Sequence, residues 1–338
     1  MNQVTPMRTK VFITIDTEFS IGGAFADPLH KRPIGPQNVL CNADGQSQGL
    51  GFMLETFRSH GIRATFFTEV LQTAFFGHQP MGELVRRIAS AGHDVQLHLH
   101  PVWNYFEHPN WQQHLALELP TDNMHGRSVA QLAGWMRRGI DTFARWGLPA
   151  PVALRTGNLM VDRNVYRAMA QVGLKVASNV ARAVFEPDEP ALRFNAGVHA
   201  VEGIIELPVL TYAGLKVGSR LERKALTITG SSVGETTCLL ERAHACASPA
   251  VVLLTHCHEF VKGDMRTDLQ ANRLNQRRLN ALCRFLRDAD DRFEVTTMDR
   301  MAFEPPTFDA DPPAMLGVPA RLALGRMLQN KLSDRNVI

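Results

Sequence analysis

Four short clusters in this sequence hold side chains that could do hydrolytic chemistry together: Asp16 with Glu18, His98 with His100, Arg155, and His256 with His258. Carboxylates and imidazoles in these numbers are the donor set that holds a divalent cation, with one carboxylate left over as a base. In Thr14-Ile15-Asp16-Thr17-Glu18 the two acids are two residues apart, so on an extended chain they face one side. One can serve as general base and the other as metal ligand. Taken alone, the pattern is weak, since it more often marks solvated turn residues or helix caps. Gln96-Leu97-His98-Leu99-His100-Pro101 is more specific: it projects two imidazoles to one face, and Pro101 stops the strand beyond them. Thr255-His256-Cys257-His258-Glu259 repeats that geometry. One of its histidines could protonate a leaving amine, although a histidine satisfied by a backbone carbonyl is the plain alternative. Arg155 follows an apolar run and could orient a carboxylate base, or be an ordinary surface arginine.

These clusters need elements that bring them together. Apolar, β-rich runs are read as strands at 10–15, 64–70, 94–100, 152–155, 175–178, 251–256 and 293–297. Helical patterns lie between them at 49–60, 82–91, 129–146, 163–172, 233–245 and 269–288. Gly61, Gly92 and Gly173 stand at helix ends, each just before the next strand, which is the grammar of a parallel sheet. The expected fold is α/β, an irregular barrel of about seven β/α units, over residues 1–304. Every candidate cluster then lies at the C-terminal end of a strand, where such barrels gather their chemistry. Residues 184–212, with Pro187, Pro190 and Pro208, are read as a hairpin-like excursion. Residues 305–338 form a Pro-rich segment and a basic amphipathic stretch at 321–332. That stretch is expected to pack on the outside of the barrel, with a peripheral membrane or partner contact as the alternative.

The bulk properties exclude several function classes. A net charge of +3 is too mild for a nucleic-acid binder. No apolar run is long enough for a membrane span or the core of a signal peptide. Five cysteines without CxxC spacing fit reduced thiols, and the expected location is cytoplasmic.

The order of the clusters resembles the motif pattern of the polysaccharide deacetylases (NodB-like, carbohydrate esterase family 4), spread over roughly residues 10–300. Asp16-Thr17-Glu18 looks like a spaced variant of the family's acidic pair. Ala64-Thr65-Phe66-Phe67 and Ala91-Gly92-His93-Asp94 are similar to the family's next strand and to the lead-in to its metal histidines. The family commonly has two histidines four apart; here position 102 is Val102, and His100 is the substitute. Arg155-Thr156-Gly157-Asn158 resembles the third motif, Ala177-Ser178 lacks the acid common in the fourth, and His256 with Glu259 looks like the last.

The resemblance implies a NodB-like deacetylase fold and a metal-dependent removal of an N-acetyl or similar acyl group from a carbohydrate or sugar precursor. Asp16 inherits the role of base and Glu18, His98 and His100 the role of ligands, with Zn2+ the expected ion. Arg155 positions the base, and His256 is the leaving-group acid with His258 as second choice. Trp103, Tyr105 and Phe106 follow the histidines and could form a stacking wall for a sugar, with Asn158 and His258 also facing substrate; packing of a long loop is the alternative for the aromatic rings. A cytoplasmic enzyme of this kind would act on a precursor or nascent surface polysaccharide, at the inner membrane face if the tail makes a membrane contact. Two other readings remain open: an amidohydrolase or deformylase of the same superfamily, and a sugar-binding relative without turnover.

Overall fold

In the computed structural model, which describes residues 8–218, 220–304 and 314–334, a sheet that is parallel except at one edge strand runs through the molecule. Its strands are β1 (Thr9–Thr17), β2 (Thr65–Glu69), β3 (Asp94–Leu99), β4 (Ala153–Thr156), β5 (Val176–Ala177), β6 (His199–Val201), β7 (Ile204–Glu206), β8 (Ala250–His256) and β9 (Phe293–Thr296). The spatial order is β8-β1-β2-β3-β4-β5-β7-β6, and β9 pairs with the first half of β1. β1 is therefore central. It is buried along nearly its whole length, which is why it reads as an unbroken apolar run rather than an alternating one.

The sheet curls until its two ends approach. No regular ladder joins them among the described residues. Single parallel bridges, Val209 to Val252 and Thr227 to Leu254, span the seam, and the Leu210 amide donates to the Val252 carbonyl at 3.1 Å. This is the irregular β/α barrel expected.

Helices α1 (Leu50–His60), α2 (Gln79–Ser90), α3 (Val129–Arg145), α4 (Arg163–Val172), α5 (Val233–Ala245) and α6 (Arg273–Asp288) accompany the sheet. Their ends are chemically set. The Asp162 carboxylate accepts the Asn164 and Val165 amides at the start of α4, and Ser232 with Glu235 forms a capping box on α5. Gly61 and Gly173 close α1 and α4 in the left-handed region, at φ 66° and 84°, where a side chain would be strained. Helix α3 lies close on the sheet because Gly139 lets it; a Cβ there would stand 2.6 Å from Leu97 Cδ1.

Two segments differ from expectation. Residues 269–272 do not open α6: Asp268–Ala271 pairs antiparallel with Val261–Asp264, and α6 begins only after Asn272 caps the Asn275 amide. Within 184–212, the β6–β7 hairpin forms, but β7 also enters the main sheet beside β5. A further hairpin, Thr211–Val217 with Arg220–Ala225, follows it. The prolines at 305, 306, 312 and 313 lie outside the described residues. The basic stretch beyond them is helix α7 (Ala320–Asp334), tied to the barrel by Arg326, whose Nε is 3.1 Å from the buried Glu235 carboxylate. Leu324, Met327 and Leu328 remain exposed on it. No helix among the described residues is long and apolar enough to cross a membrane.

Candidate active site

Strand register assembles the site. β1 and β8 run side by side with Asp16 opposite His256, and β3 and β4 run with His98 opposite Arg155. Four chain segments far apart in sequence thus deliver their side chains to one mouth of the barrel.

Asp16 is nearly buried and its two oxygens have different surroundings. Oδ1 accepts Arg155 Nη1 at 3.0 Å. Oδ2 lies 4.0 Å from His98 Nε2 and 3.9 Å from His256 Nε2. Arg155 is fully buried and fixed on every side: Nε donates to the Ser178 carbonyl at 2.8 Å, and Nη2 to Ser178 Oγ at 2.7 Å and Thr14 Oγ1 at 3.1 Å. Its guanidinium also sits over the Phe67 ring, 4.6 Å from the centroid. Ser178, where the resembled motif usually has an acid beside it, here holds the arginine.

Glu18, just past β1, meets both histidines of β3. Its Oε2 lies 2.9 Å from His100 Nε2 and 3.4 Å from His98 Nε2. Burial pushes the Glu18 carboxyl up, but His100 and His98 together outweigh it and hold it well below the usual carboxylate range. Burial likewise opposes the charge on His100, yet Glu18 on one side and Asp122 on the other keep its pKa well above the usual value. The backbone of His100 is anchored too, since its amide donates to Glu69 Oε1 at 3.1 Å. Burial drives that carboxyl up to about 7, against the pull of His100.

His98 decides what this cluster can bind. Its Nδ1 lies 2.9 Å from the Arg155 carbonyl, which can only accept, so Nδ1 donates there and Nε2 is the nitrogen turned toward Glu18. That Nε2 is buried and has no hydrogen-bond partner. A buried polar nitrogen without a hydrogen bond is costly unless something fills its place. One ligand atom each from Glu18, His98 and His100 falls within 4.8 Å of the others. Two imidazoles and a carboxylate form a donor set suited to Zn2+ or a related divalent ion, so the residues present fit such an ion.

On the other side of Asp16, His256 Nδ1 lies 3.2 Å from Glu259 Oε1. Burial lowers the His256 pKa, but the hydrogen bond and charge of Glu259, with Asp16 and Glu18 beyond, raise it to about 9. Glu259 in turn is held at about 2: burial opposes this, and His256, Thr255 and Thr229 outweigh burial. His258 stays near the site, its ring 5.1 Å from that of His256, but burial and then His256 lower its pKa.

The chain matches a solved candidate polysaccharide deacetylase from Mycobacterium smegmatis at a TM-score of 0.51 and 17% identity, over 92% of this chain and 97% of that one. The fold is that of the polysaccharide deacetylases. A family 4 carbohydrate esterase from Streptomyces lividans matches the chain at a TM-score of 0.40 and 14% identity, over 85% of this chain and 91% of that one. A mutant of a carbohydrate esterase family 4 pseudoenzyme matches at 0.44 and 11%, over 88% and 68%. No family model matches the sequence, and no curated protein does.

Within this deacetylase fold, the structure brings together Asp16, Glu18, His98, His100, Arg155 and His256. The aromatic residues beyond His100 mostly pack. Residues Pro101–Glu107 coil into a 3-10 turn that swings their rings inward. Trp103 is only 2% exposed and packs against Phe76 and Phe106, while Tyr105 is buried on Phe25 with its hydroxyl donating to the Glu118 carbonyl. The rings of Trp103, Tyr105 and Phe106 thus spend most of their surface on packing, the alternative the sequence also allowed, and of the three only Tyr105 lines an open cleft, with Pro101, Val102 and Glu118. Asn158 is exposed at the mouth, and its amide donates to Asp122 Oδ2 at 2.8 Å. Asp122 itself had no signal in the sequence. It is a lone acid in a loop, 22 residues from the His100 ring that it meets at 2.6 Å.

Proposed function

We propose that this chain is a metal-dependent carbohydrate deacetylase, a divergent relative of carbohydrate esterase family 4. One observation carries the reading: the buried Nε2 of His98, without a hydrogen bond, lies in a cluster completed by Glu18 and His100, 4.0 Å from Asp16 Oδ2. Glu18, His98 and His100 would hold a divalent ion, which when bound would supply Lewis acidity toward an acyl carbonyl and an attacking water.

The chain's own groups do the rest. Arg155 pins one oxygen of Asp16, leaving Oδ2 to take the proton of the water. His256, whose pKa the neighbouring Glu259 raises to about 9, is the group placed to donate from Nε2 to the departing amine. Glu259 engages Nδ1, so Nε2 is the nitrogen free to donate. The retained Asp16–Arg155 pair supports turnover over a purely sugar-binding role.

The substrate class is an N-acylated sugar or sugar precursor. Five free cysteines, three of them buried, support a reducing cytoplasmic setting and hence a precursor or nascent polysaccharide. The test is a pair of variants assayed for free amine on N-acetylated sugars and for bound metal. Asp16→Asn abolishes turnover with metal retained, and His98→Ala loses both. Full turnover in Asp16→Asn overturns the assignment of the base.

A further inference from the structure

His100 stands one residue past the end of β3, at the head of the loop, so the strand ladder does not fix its ring. Three neighbours do. Asp122 Oδ2 lies 2.6 Å from His100 Nδ1, and Asp122 Oδ1 accepts the Val102 amide at 3.2 Å. The Asn158 amide donates to Oδ2 at 2.8 Å, which steadies the carboxylate from the opposite loop. Gly157 lies against the ring: a Cβ there would fall 2.5 Å from His100 Nδ1 and 2.8 Å from Cγ and Cε1. Real Cβ contacts are never that short, so no side chain can occupy position 157 while the ring stays in place. The turn that presents Gly157 also puts Asn158 at φ 53°, a left-handed conformation that asparagine tolerates.

We propose that Asp122 and Gly157 are positioning residues that build a seat for His100 and so make it the third metal ligand. The inference rests on the metal-dependent reading above. Asp122 fixes the tautomer by taking the Nδ1 proton's hydrogen bond, which turns Nε2 toward Glu18 Oε2, 2.9 Å away. A carboxylate behind a ligating imidazole also raises its basicity. Gly157 supplies the space into which the ring rotates. Together they compensate for the histidine's place at 100 rather than 102.

The test is Zn2+ affinity, by competition with a chromophoric chelator, for the full-length wild type, Asp122→Ala, Asp122→Asn, Gly157→Ala, His100→Ala and the Asp122→Ala/His100→Ala double variant. Thermal melts of the chelated proteins check folding. Asp122→Ala and Gly157→Ala each weaken binding roughly 10- to 100-fold, the range typical of groups that orient a ligand. Asp122→Asn, which keeps an acceptor for Nδ1–H but not the charge, falls between them and the wild type. In the His100→Ala background, Asp122→Ala changes affinity by less than about twofold, because the residue it acts through is gone. Wild-type affinity in Asp122→Ala, or a loss that persists undiminished without His100, overturns the seat while leaving the metal-dependent reading intact. A wild type that takes up no Zn2+ overturns both.

Discussion

Consider Arg155→Met in chelated protein. Methionine fills much of the arginine's path through the core but cannot answer Asp16. Arg155 is 0% exposed and Asp16 5%, so the carboxylate left behind is a buried charge without a hydrogen-bonded partner, faced only at longer range by His256 Nε2 at 3.9 Å. The Ser178 carbonyl and Thr14 Oγ1 lose their donors as well. Removing one partner of a buried ion pair costs about 3–5 kcal/mol, and the satisfied geometry here puts the expectation toward the upper end. Asp16→Asn in the same background removes the stranded charge. The double variant should then be more stable than the sum of the single changes predicts, with a coupling of about 1–3 kcal/mol. The assay is urea unfolding of the four proteins of the cycle, each in excess chelator so that metal does not enter the balance. Additive losses, or an Arg155→Met cost under about 1 kcal/mol, would refute the claim that this arginine exists to hold the base.

Other outcomes follow from the same geometry. In metal-free protein the His256–Glu259 pair gives a definite pH window. His256, raised to about 9, contributes its full stability below its ordinary 6.5 and loses it as pH rises through 9; Glu259, lowered to about 2, contributes fully above 4.5 and loses its share as pH falls toward 2. Unfolding measured across pH should therefore show Glu259→Gln losing most between 4.5 and 6.5 and falling less steeply above it; parallel curves contradict the pairing. His100 is protonated at neutral pH without metal, so Zn2+ uptake at pH 7 should release roughly one proton by calorimetry in buffers of different ionisation enthalpy, and His100→Ala should release fewer. Gly139→Ala forces a Cβ to within 2.6 Å of the buried Leu97 side chain and should cost about 1–3 kcal/mol in chemical denaturation, despite alanine's better helix propensity. An unchanged midpoint would mean that α3 can shift off the sheet freely.

Much of the site was legible because a parallel barrel imposes a simple rule: polar residues directly after apolar runs end up at one mouth. Asp16, His98, Arg155 and His256 all obey it, and the register of β1 with β8 and of β3 with β4 is what makes them meet. Asp122 and Gly157 were not legible, since their role depends on loop contacts that carry no period. The choice left open for Trp103 and Tyr105 has the same origin. An aromatic run after a strand reads equally as substrate wall or as packing, and only the 3-10 turn of Pro101–Glu107 decides that the rings go inward. Leu269 satisfied the helical period of α6, yet it belongs to a hairpin because Asn272 caps the helix after it. Periodicity cannot see a cap that overrides it.

The central claim is that Glu18, His98 and His100 hold one divalent ion on which hydrolysis of an N-acyl sugar depends. Its most direct measurement is free-amine release from N-acetylated sugars by the wild type as purified, after chelation, and after stoichiometric Zn2+ is restored, with bound metal counted at each stage. Activity should vanish with the chelator and return at one equivalent of metal. Amine release that continues in fully metal-free protein would contradict the account.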